Sequence, residues 1–172
     1  MTLRTQAVTL RLPEYWLVKQ LYYRAFPSYE QESWLRLMGK RLSRRADFTA
    51  FYDGSQLVGF TYLIHHQDVH YLLYLAVNDQ VRSQGYGSRI LQATCCRYPG
   101  ETVVLDIEQL DPQAANNHQR QRRLHFYRQN GFDLTDRLTP TADVTYQMFS
   151  NTSEVDQTKV DRIFNWFNGR TF

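Results

Sequence analysis

The sequence contains only two cysteines, Cys95 and Cys96, and they are adjacent. Adjacent cysteines are poorly placed for a structural disulfide, and two are too few for a disulfide framework or a cysteine zinc site. This composition excludes a disulfide-stabilised secreted scaffold and is typical of the reducing cytosol.

Long apolar runs are also absent. No stretch approaches the roughly 20 apolar residues that a membrane-spanning helix needs. The N-terminal segment MTLRTQAVTLRLPEYW has no apolar core of signal-peptide length. We therefore expect a cytoplasmic protein that does not bind membranes.

The formal net charge of the 172 residues is only +3, and the charged residues are spread along the chain. This small charge does not indicate nucleic-acid binding, but it is compatible with binding an anionic cofactor. Apolar residues make up 42% and aromatic residues 15% of the sequence. The length and composition predict one folded domain over residues 1–172.

Hydrophobic periodicity predicts a strand followed by two helices at the start of the chain. Residues 6–12 alternate between apolar and polar, as a half-buried strand does. A helix is expected between Pro13 and Pro27, and a second one around residues 32–45. Their apolar positions recur at helical spacing and should cap the sheet: Trp16, Leu17, Leu21, Trp34, Leu35, Met38 and Leu42.

The middle of the sequence predicts a hairpin and a parallel pair of strands. Asp53-Gly54 joins two β-rich segments as a hairpin turn. The apolar run His70–Val77, a helix after Gly85 and the strand Thr102–Glu108 together form a strand–helix–strand unit, whose strands are expected to be parallel.

The remaining segments complete a mixed sheet of about seven strands with antiparallel flanks. A helix containing RLHFYRQNGF should end at Gly131, and FDLTDRL and DVTYQMF should be antiparallel closing strands. An amphipathic helix is predicted at about residues 154–168. The fold class is therefore α/β, with helices flanking the sheet.

The stretch VRSQGYGSRIL places Gly85 and Gly87 at the start of a predicted helix, after a buried strand and a loop. Exposed amides at a helix N-terminus form an anion site, although glycines also simply open helices. A Rossmann dinucleotide site is a remote alternative, because its third glycine is Ile90 here, although Asp106 lies at the expected distance. A Walker A loop is excluded, since no Lys-Ser or Lys-Thr follows.

Two motifs carry a family resemblance. Arg82-Ser-Gln-Gly85-Tyr-Gly87 resembles the acyl-CoA loop of the GNAT superfamily of N-acyltransferases, in which Gln or Arg is followed by two residues, Gly, one residue, and Gly or Ala. FYRQNGF, at residues 126–132, resembles the second signature of that family. The order of the predicted elements also matches, so the resemblance covers roughly residues 5–150.

The resemblance implies a GNAT-like fold and an N-acetyltransferase that uses acetyl-CoA and no metal. It implies that the loop binds the pyrophosphate of coenzyme A and that the backbone of the central strand pairs with the pantetheine arm. The implied cofactor-binding residues are Leu75, Ala76, Val77, Arg82, Ser83, Gln84, Gly85, Tyr86, Gly87, Ser88, Asn117 and Phe126. Tyr127 is implied as the acid that protonates the CoA thiolate; the alternative is a core aromatic.

Glu108 is a candidate general base. Alternation along Thr102–Glu108 places Val104, Asp106 and Glu108 on one face, with Glu108 at the end of the strand. A solvated carboxylate at a strand end is an equally good interpretation. His70 is a weaker alternative, because it lies at the far end of the central strand.

The segment NNHQRQRR departs from the family pattern, because Arg120 and Arg123 stand where many relatives have Asn and Ala. These arginines, with Arg122, either meet CoA phosphates or form a solvated face. A contact from Asn116 or Asn117 to CoA is a further hypothesis.

Acceptor recognition in this fold usually involves the first two helices and their connection. Here Tyr29 and Glu30 are the candidate substrate-binding residues, since carboxylates and aromatic rings attract a cationic amine. Glu32 is a second acid and Trp34 a second aromatic residue of the same segment. Ordinary helix-start acids are the alternative. A small-molecule or peptide amine is expected as acceptor, with no nucleic-acid partner and a monomer or homodimer. The competing hypothesis is a non-catalytic acyl-CoA sensor.

Overall fold

The computed structural model describes residues 2–81 and 84–169. Within them lie seven strands, five α-helices and two short 3₁₀ turns, Ser28–Glu30 and Asp79–Val81. The strands are β1 (Arg4–Ala7), β2 (Ala46–Asp53), β3 (Gln56–His66), β4 (Val69–Val77), β5 (Thr102–Glu108), β6 (Asp133–Pro140) and β7 (Thr145–Ser150). The helices are α1 (Tyr15–Ala25), α2 (Trp34–Lys40), α3 (Tyr86–Cys95), α4 (Asn117–Gln129) and α5 (Gln157–Phe167).

All seven strands form one sheet in the order β1-β2-β3-β4-β5-β7-β6. Every neighbouring pair is antiparallel except β4 and β5, which are parallel. This arrangement confirms the predicted mixed sheet. A Rossmann fold needs a mostly parallel sheet, so that alternative is wrong.

The parallel pair is short. Its register joins Val69 to Thr102, His70 to Val103 and Tyr71 to Val104, and then the ladder ends. Both strands continue beyond this point, β4 to Val77 and β5 to Glu108. The two strands therefore separate, and the sheet has a cleft between them.

Helices cover both faces of the sheet. One core contains Val18 of α1, Leu37 of α2 and Ile163 of α5, which pack with Val104 of β5. Another core contains Leu91 of α3, together with the neighbouring residues Val103 and Leu105 of β5 and partly buried Leu124 and Tyr127 of α4. Because successive residues of a strand point to opposite faces, α1, α2 and α5 lie on one face and α3 and α4 on the other.

Gly59 of β3 allows α3 to pack closely on the sheet. A Cβ atom at this position would lie 2.2 Å from the carbonyl oxygen of Ala76 and 2.7 Å from Cδ1 of Ile90. Both distances are far inside van der Waals contact, so a side chain here would push α3 or β4 away.

The first strand is shorter and earlier than the predicted residues 6–12, because β1 is Arg4–Ala7. Val8 still donates a backbone hydrogen bond to Phe48, but the chain then turns. The Thr9 side chain accepts from the amide of Arg11, and Leu12 donates to the Thr9 carbonyl. This local turn ends the strand despite the alternating pattern.

The predicted apolar positions of the first two helices are partly wrong. Trp16 and Leu17 are 65% and 54% exposed, while α1 buries Tyr15, Val18, Leu21 and Tyr22. In α2, Leu35 is 83% exposed, and Leu42 lies beyond the helix. The tyrosines have polar tips that find partners inside the fold, as Tyr22 does with Tyr74, so hydrophobicity alone selected the wrong face.

No helix among residues 2–81 and 84–169 has the length and apolar character to cross a membrane. Within the same residues, no group of histidine, cysteine and acidic side chains is arranged to hold a metal ion. Cys95 and Cys96 are both free thiols.

Candidate active site

A cavity of about 840 Å³ lies where β4 and β5 separate. It passes through the sheet, since residues from both faces line it. Its walls come from α1 and the turn after it, from β4 and β5, from the start of α3, from α4 and from β7. Clefts between elements that a fold holds apart are common ligand sites.

The start of α3 forms one end of the cavity through Gly85, Tyr86, Gly87 and Ser88. Gly85 is the N-cap and has a φ of 72°, a left-handed conformation that favours glycine. The first amides of a helix have no partner within the helix. This end of the cavity is therefore suited to an anion such as a phosphate.

Gly87 leaves little spare room. A Cβ atom here would lie 3.1 Å from the ring of Phe126 on α4 and 3.6 Å from the side chain of Val77. Phe126 and Val77 also line the cavity. The absent side chain therefore keeps a passage open between α3, α4 and the end of β4.

Tyr127 also lines the cavity, and its ring packs against Phe126, Phe132 and Phe149. Its hydroxyl has no hydrogen-bond partner among the residues that the structure describes. Burial raises the pKa of Tyr127 to about 12. The hydroxyl therefore stays protonated at neutral pH and is free to donate.

Asp106 is a carboxylate inside the cleft, two residues beyond the last paired position of β5. The hydroxyl of Tyr71 donates to its Oδ2 atom over 3.1 Å, while its Oδ1 atom is buried without a partner in the described part of the chain. Burial raises the pKa of Asp106 to about 6. Such a carboxylate is ionised at neutral pH and still basic enough to accept a proton.

Glu30 is a second carboxylate on the cavity wall. Its Oε1 atom is buried and makes no hydrogen bond within the described residues. Burial raises its pKa, although the nearby Arg123 opposes this shift. The Tyr74 hydroxyl donates to the carbonyl of Glu30 over 2.6 Å and accepts from the amide of Glu32, so β4 fixes the turn that carries Glu30.

Glu108 does not line the cavity, and its contacts do not favour the role of base. It is only 2% exposed and accepts from Asn116 Nδ2 at 3.0 Å. It also pairs with Arg120 at 3.4 Å and with Arg123 at 3.5 Å. These contacts hold the first turns of α4 against the end of β5, which gives Glu108 a structural role.

The remaining predicted site residues are divided between the cavity and other places. Leu75 and Val77 line the cavity, whereas the side chain of Ala76 points into the core on the opposite face. Neither Gln84 nor Tyr29 lines it, and Tyr29 is 64% exposed. Arg82 and Ser83 lie outside the described residues.

Asn117 and His70 also lie away from the cavity. The side chain of Asn117 accepts from the amide of Asp111 and is therefore engaged in the loop before α4. His70 pairs with Glu101 and stacks on Tyr98 with the ring centroids 3.8 Å apart. It lies at the end of β4 that remains paired with β5, far from Val77.

In the sequence, Asp106 has a functional interpretation only in the Rossmann alternative, and Tyr146 has none. The signal for Asp106 was present, because an acidic residue interrupts a strand that otherwise consists of Val, Leu and Ile before Glu108. Tyr146 gave no local signal. It reaches the cavity because β7 pairs with β5 and places it opposite Glu108.

A second concave region, of about 920 Å³, follows the outer side of α4. It is lined by His118, Gln121, Arg122, His125, Phe126 and Gln129. Arg122 and Phe126 belong to both concavities, which therefore adjoin. Arg122 is exposed, so it differs from Arg120 and Arg123, which pair with Glu108.

Comparison with known proteins identifies the family. The sequence model of the acetyltransferase (GNAT) domain family matches residues 44–134, which is over half of the chain. The protein therefore belongs to the GNAT acetyltransferase family, which confirms the resemblance seen in the two motifs. A comparison with curated protein sequences finds no match.

Solved structures with the same fold cover nearly the whole chain. A GNAT-family protein from Bacteroides thetaiotaomicron, at 22% identity, matches with a TM-score of 0.73 and covers 97% of this chain and 93% of its own. An aminoglycoside 6'-N-acetyltransferase in complex with coenzyme A has a TM-score of 0.65 at 16% identity, with 89% and 99% covered. A GNAT-family acetyltransferase from Elizabethkingia anophelis with acetyl-CoA bound has a TM-score of 0.61 at 14% identity, with 87% and 97% covered. These similarities establish the fold.

Proposed function

We propose that this protein is an N-acetyltransferase that transfers the acetyl group of acetyl-CoA directly to a primary amine of a small molecule or peptide. The observation that carries the proposal is the cavity through the cleft between β4 and β5. The start of α3 contributes backbone amides to this cavity, and Glu30 and Asp106 contribute two half-buried carboxylates. Two similar structures contain coenzyme A or acetyl-CoA, which supports the choice of co-substrate.

The residues at the α3 end fit acetyl-CoA. The amides of Gly85 to Ser88 would bind the pyrophosphate, and the missing side chain of Gly87 would let it approach the backbone. The unpaired edge of β4 at Leu75, Ala76 and Val77 offers main-chain groups to the pantetheine amides. The exposed Arg122, which lines both concave regions, would supply a positive charge to a second phosphate of the cofactor.

Asp106 replaces Glu108 as our proposed general base. An amine must lose a proton when its nitrogen attacks the thioester carbonyl carbon. Asp106 lines the cavity, has one oxygen without a hydrogen-bond partner in the described part of the chain, and has a pKa that burial raises to about 6. Glu108 does not line the cavity, and both of its oxygens accept hydrogen bonds.

Tyr127 is our proposed general acid. As the C–S bond breaks, the sulfur of coenzyme A receives the electron pair and needs a proton. Tyr127 lines the cavity, its hydroxyl has no hydrogen-bond partner within the described residues, and it is protonated at neutral pH. Because its pKa is raised, the Tyr127 hydroxyl is not ionised to a phenolate before the C–S bond breaks.

A cytoplasmic location and a reducing environment are part of the proposal, since both cysteines are free.

A thermal-shift panel with CoA, acetyl-CoA, NAD and NADP tests the co-substrate first. Stabilisation by the two CoA compounds alone supports the proposal, whereas stabilisation by NAD alone contradicts it.

An amine screen then tests the reaction. The release of CoA is followed as free thiol, and the acetylated amine is identified by its mass. Equal amounts of both products support an N-acetyltransferase. Tight CoA binding without turnover on amines, peptides or amino sugars would favour the non-catalytic sensor.

A further inference from the structure

We propose that the acceptor carries two amino groups and that Glu30 binds the amino group that does not react. This inference rests on the proposed function and narrows its substrate class to aliphatic diamines and their longer relatives. It is argued from the charges and walls of the acceptor side of the cavity, which is the part lined by Phe26, Glu30, Tyr71, Tyr74, Asp106 and Tyr146.

The acceptor side holds two carboxylates, and each has one buried oxygen without a hydrogen bond in the described part of the chain. These oxygens are Oε1 of Glu30 and Oδ1 of Asp106. A buried, unsatisfied carboxylate oxygen is costly, and such groups normally have a partner. Both side chains also line the cavity, so a ligand with two amino groups would meet a carboxylate at each of them.

The nearest cation to Glu30 is shared with another carboxylate, and the cation nearest in effect to Asp106 binds a different acid. Arg123 is 3.9 Å from Oε1 of Glu30, but it is closer to Glu108, at 3.5 Å. Arg137 lowers the pKa of Asp106 only at a distance, since its guanidinium binds Asp161 at 2.7 Å. Among the described residues, the carboxylates Glu30, Asp106 and Glu108 outnumber by one the arginines within 4 Å of them, Arg120 and Arg123. The ammonium group that does not react would balance this negative charge.

The aromatic walls of the acceptor side are suited to an alkyl chain. Phe26 and Tyr74 pack with their ring centroids 4.7 Å apart, and Tyr71 and Tyr146 add two more rings. These rings present apolar surface to methylene groups, and their faces also attract an ammonium ion. An amine with hydroxyl groups along its chain would lose their hydration against such walls.

The two carboxylates have different tasks in this arrangement. Asp106 lies in the cleft where the strands separate and serves the reacting amine. Glu30 lies on the turn after α1, whose backbone is fixed by Tyr74 and by the hydrogen bond from Gln31 Nε2 to the Phe26 carbonyl. Glu30 is therefore positioned in advance to hold a second ammonium group.

The test compares 1,4-diaminobutane with 1-aminobutane in CoA-release assays at pH 7.5. We expect kcat/KM to be about 10- to 100-fold higher for the diamine, the range of one charge-assisted hydrogen bond. The series from 1,3-diaminopropane to 1,6-diaminohexane should show one optimal length. The monoacetylated diamine should accumulate, because it has lost the charge that Glu30 binds.

Glu30→Gln should reduce the preference for the diamine over the monoamine to less than about threefold. Glu32→Gln is the matched control, because Glu32 pairs with Arg36 at 2.7 Å and does not line the cavity. It should keep the wild-type preference. Equal kcat/KM for both amines in the wild type, or an unchanged preference in Glu30→Gln, would overturn the inference. If Glu30→Gln does not fold, two measurements on the wild type test the inference instead. They are the ratio of kcat/KM for the diamine to that for the monoamine, and the dependence of kcat/KM on the length of the diamine.

Calorimetric titration separates this inference from the proposed function. Both amines are titrated into the wild-type protein in the presence of CoA, which needs no turnover. Selective binding of the diamine without CoA release from acetyl-CoA would contradict the N-acetyltransferase and support the site at Glu30. Turnover of monoamines and diamines at equal rates would support the enzyme and reject the site.

Discussion

The hydroxyl of Tyr71 donates a hydrogen bond to Asp106 across the point where β4 and β5 separate. Tyr71 is the last residue of β4 that pairs with β5, and Asp106 is the second residue of β5 beyond that pair. The hydrogen bond thus holds the carboxylate in the mouth of the cleft. It satisfies only Oδ2, because Oδ1 is buried without a hydrogen-bond partner in the described part of the chain.

The pH dependence of the reaction follows from Asp106. Its pKa is raised to about 6, so the carboxylate loses its capacity to accept a proton as the pH falls through 6. We expect kcat/KM to decrease below about pH 6, in a limb separate from that of the amine acceptor, which titrates near 10. A pH profile without that limb would contradict Asp106 as base.

Asp106→Asn should stabilise the fold. The folded-state pKa of Asp106 is above its ordinary value, so burial of its charge weakens the fold as the pH rises from about 4 to about 6. The neutral amide avoids this cost, and we expect a gain of about 1–3 kcal/mol in the free energy of unfolding at pH 8. Denaturant unfolding of both proteins measures it.

The exposed Asp136 on β6 provides the control for this substitution. Asp136→Asn should leave the free energy of unfolding nearly unchanged at both pH 4 and pH 8. If Asp106→Asn gives no larger gain at pH 8 than at pH 4, the proposed cost of the buried charge is wrong.

Gly87→Val should weaken acetyl-CoA binding. A side chain here would enter the passage between α3 and α4 and would press on Phe126, from which its Cβ atom is only 3.1 Å away. We expect at least a tenfold loss of affinity by calorimetry, because the backbone approach of the pyrophosphate is blocked. Gly39→Val on α2, where a Cβ atom has no neighbour within 4 Å, should bind acetyl-CoA like the wild type.

Gly59→Ala should destabilise the protein, because the new methyl group would overlap the carbonyl oxygen of Ala76. Overpacking of this kind costs about 1–3 kcal/mol. The same substitution at Gly39, in open space on a helix, should stabilise by about 0.5–1 kcal/mol. Denaturant unfolding should therefore show a lower free energy of unfolding for Gly59→Ala and a higher one for Gly39→Ala. Equal changes in the two variants would show that β3 and α3 are not tightly packed.

Local patterns in the sequence were sufficient to predict the hairpin at Asp53-Gly54, the strand Thr102–Glu108 and the parallel pair. In each case a run of β-branched or apolar residues is bounded by strong turn signals. Local patterns failed to predict which face of α1 is buried. The buried tyrosines on that face depend on hydrogen-bond partners elsewhere in the chain, as Tyr22 depends on Tyr74. Such partners are set by the tertiary fold.

The candidate site was predicted in part for the same reason. Gly85, Gly87 and Tyr127 belong to contiguous motifs, and all three line the cavity. The choice between Asp106 and Glu108 depended on where the parallel ladder ends and on which carboxylate the arginines of α4 reach. Alternation placed the two acids on one face, but it could not show that only Asp106 lies in the cleft.

The rate of acetyl transfer in Asp106→Asn tests the central claim most directly, namely that the cleft between β4 and β5 is the active site. CoA release and acetylated amine are measured together for the wild type, Asp106→Asn and the control Asp136→Asn. We expect Asp106→Asn to lose about 10²–10⁴-fold in kcat, the range for a lost general base. Its affinity for acetyl-CoA should be unchanged. Wild-type turnover in Asp106→Asn would contradict the account, because the reaction would then proceed without the carboxylate in the cleft.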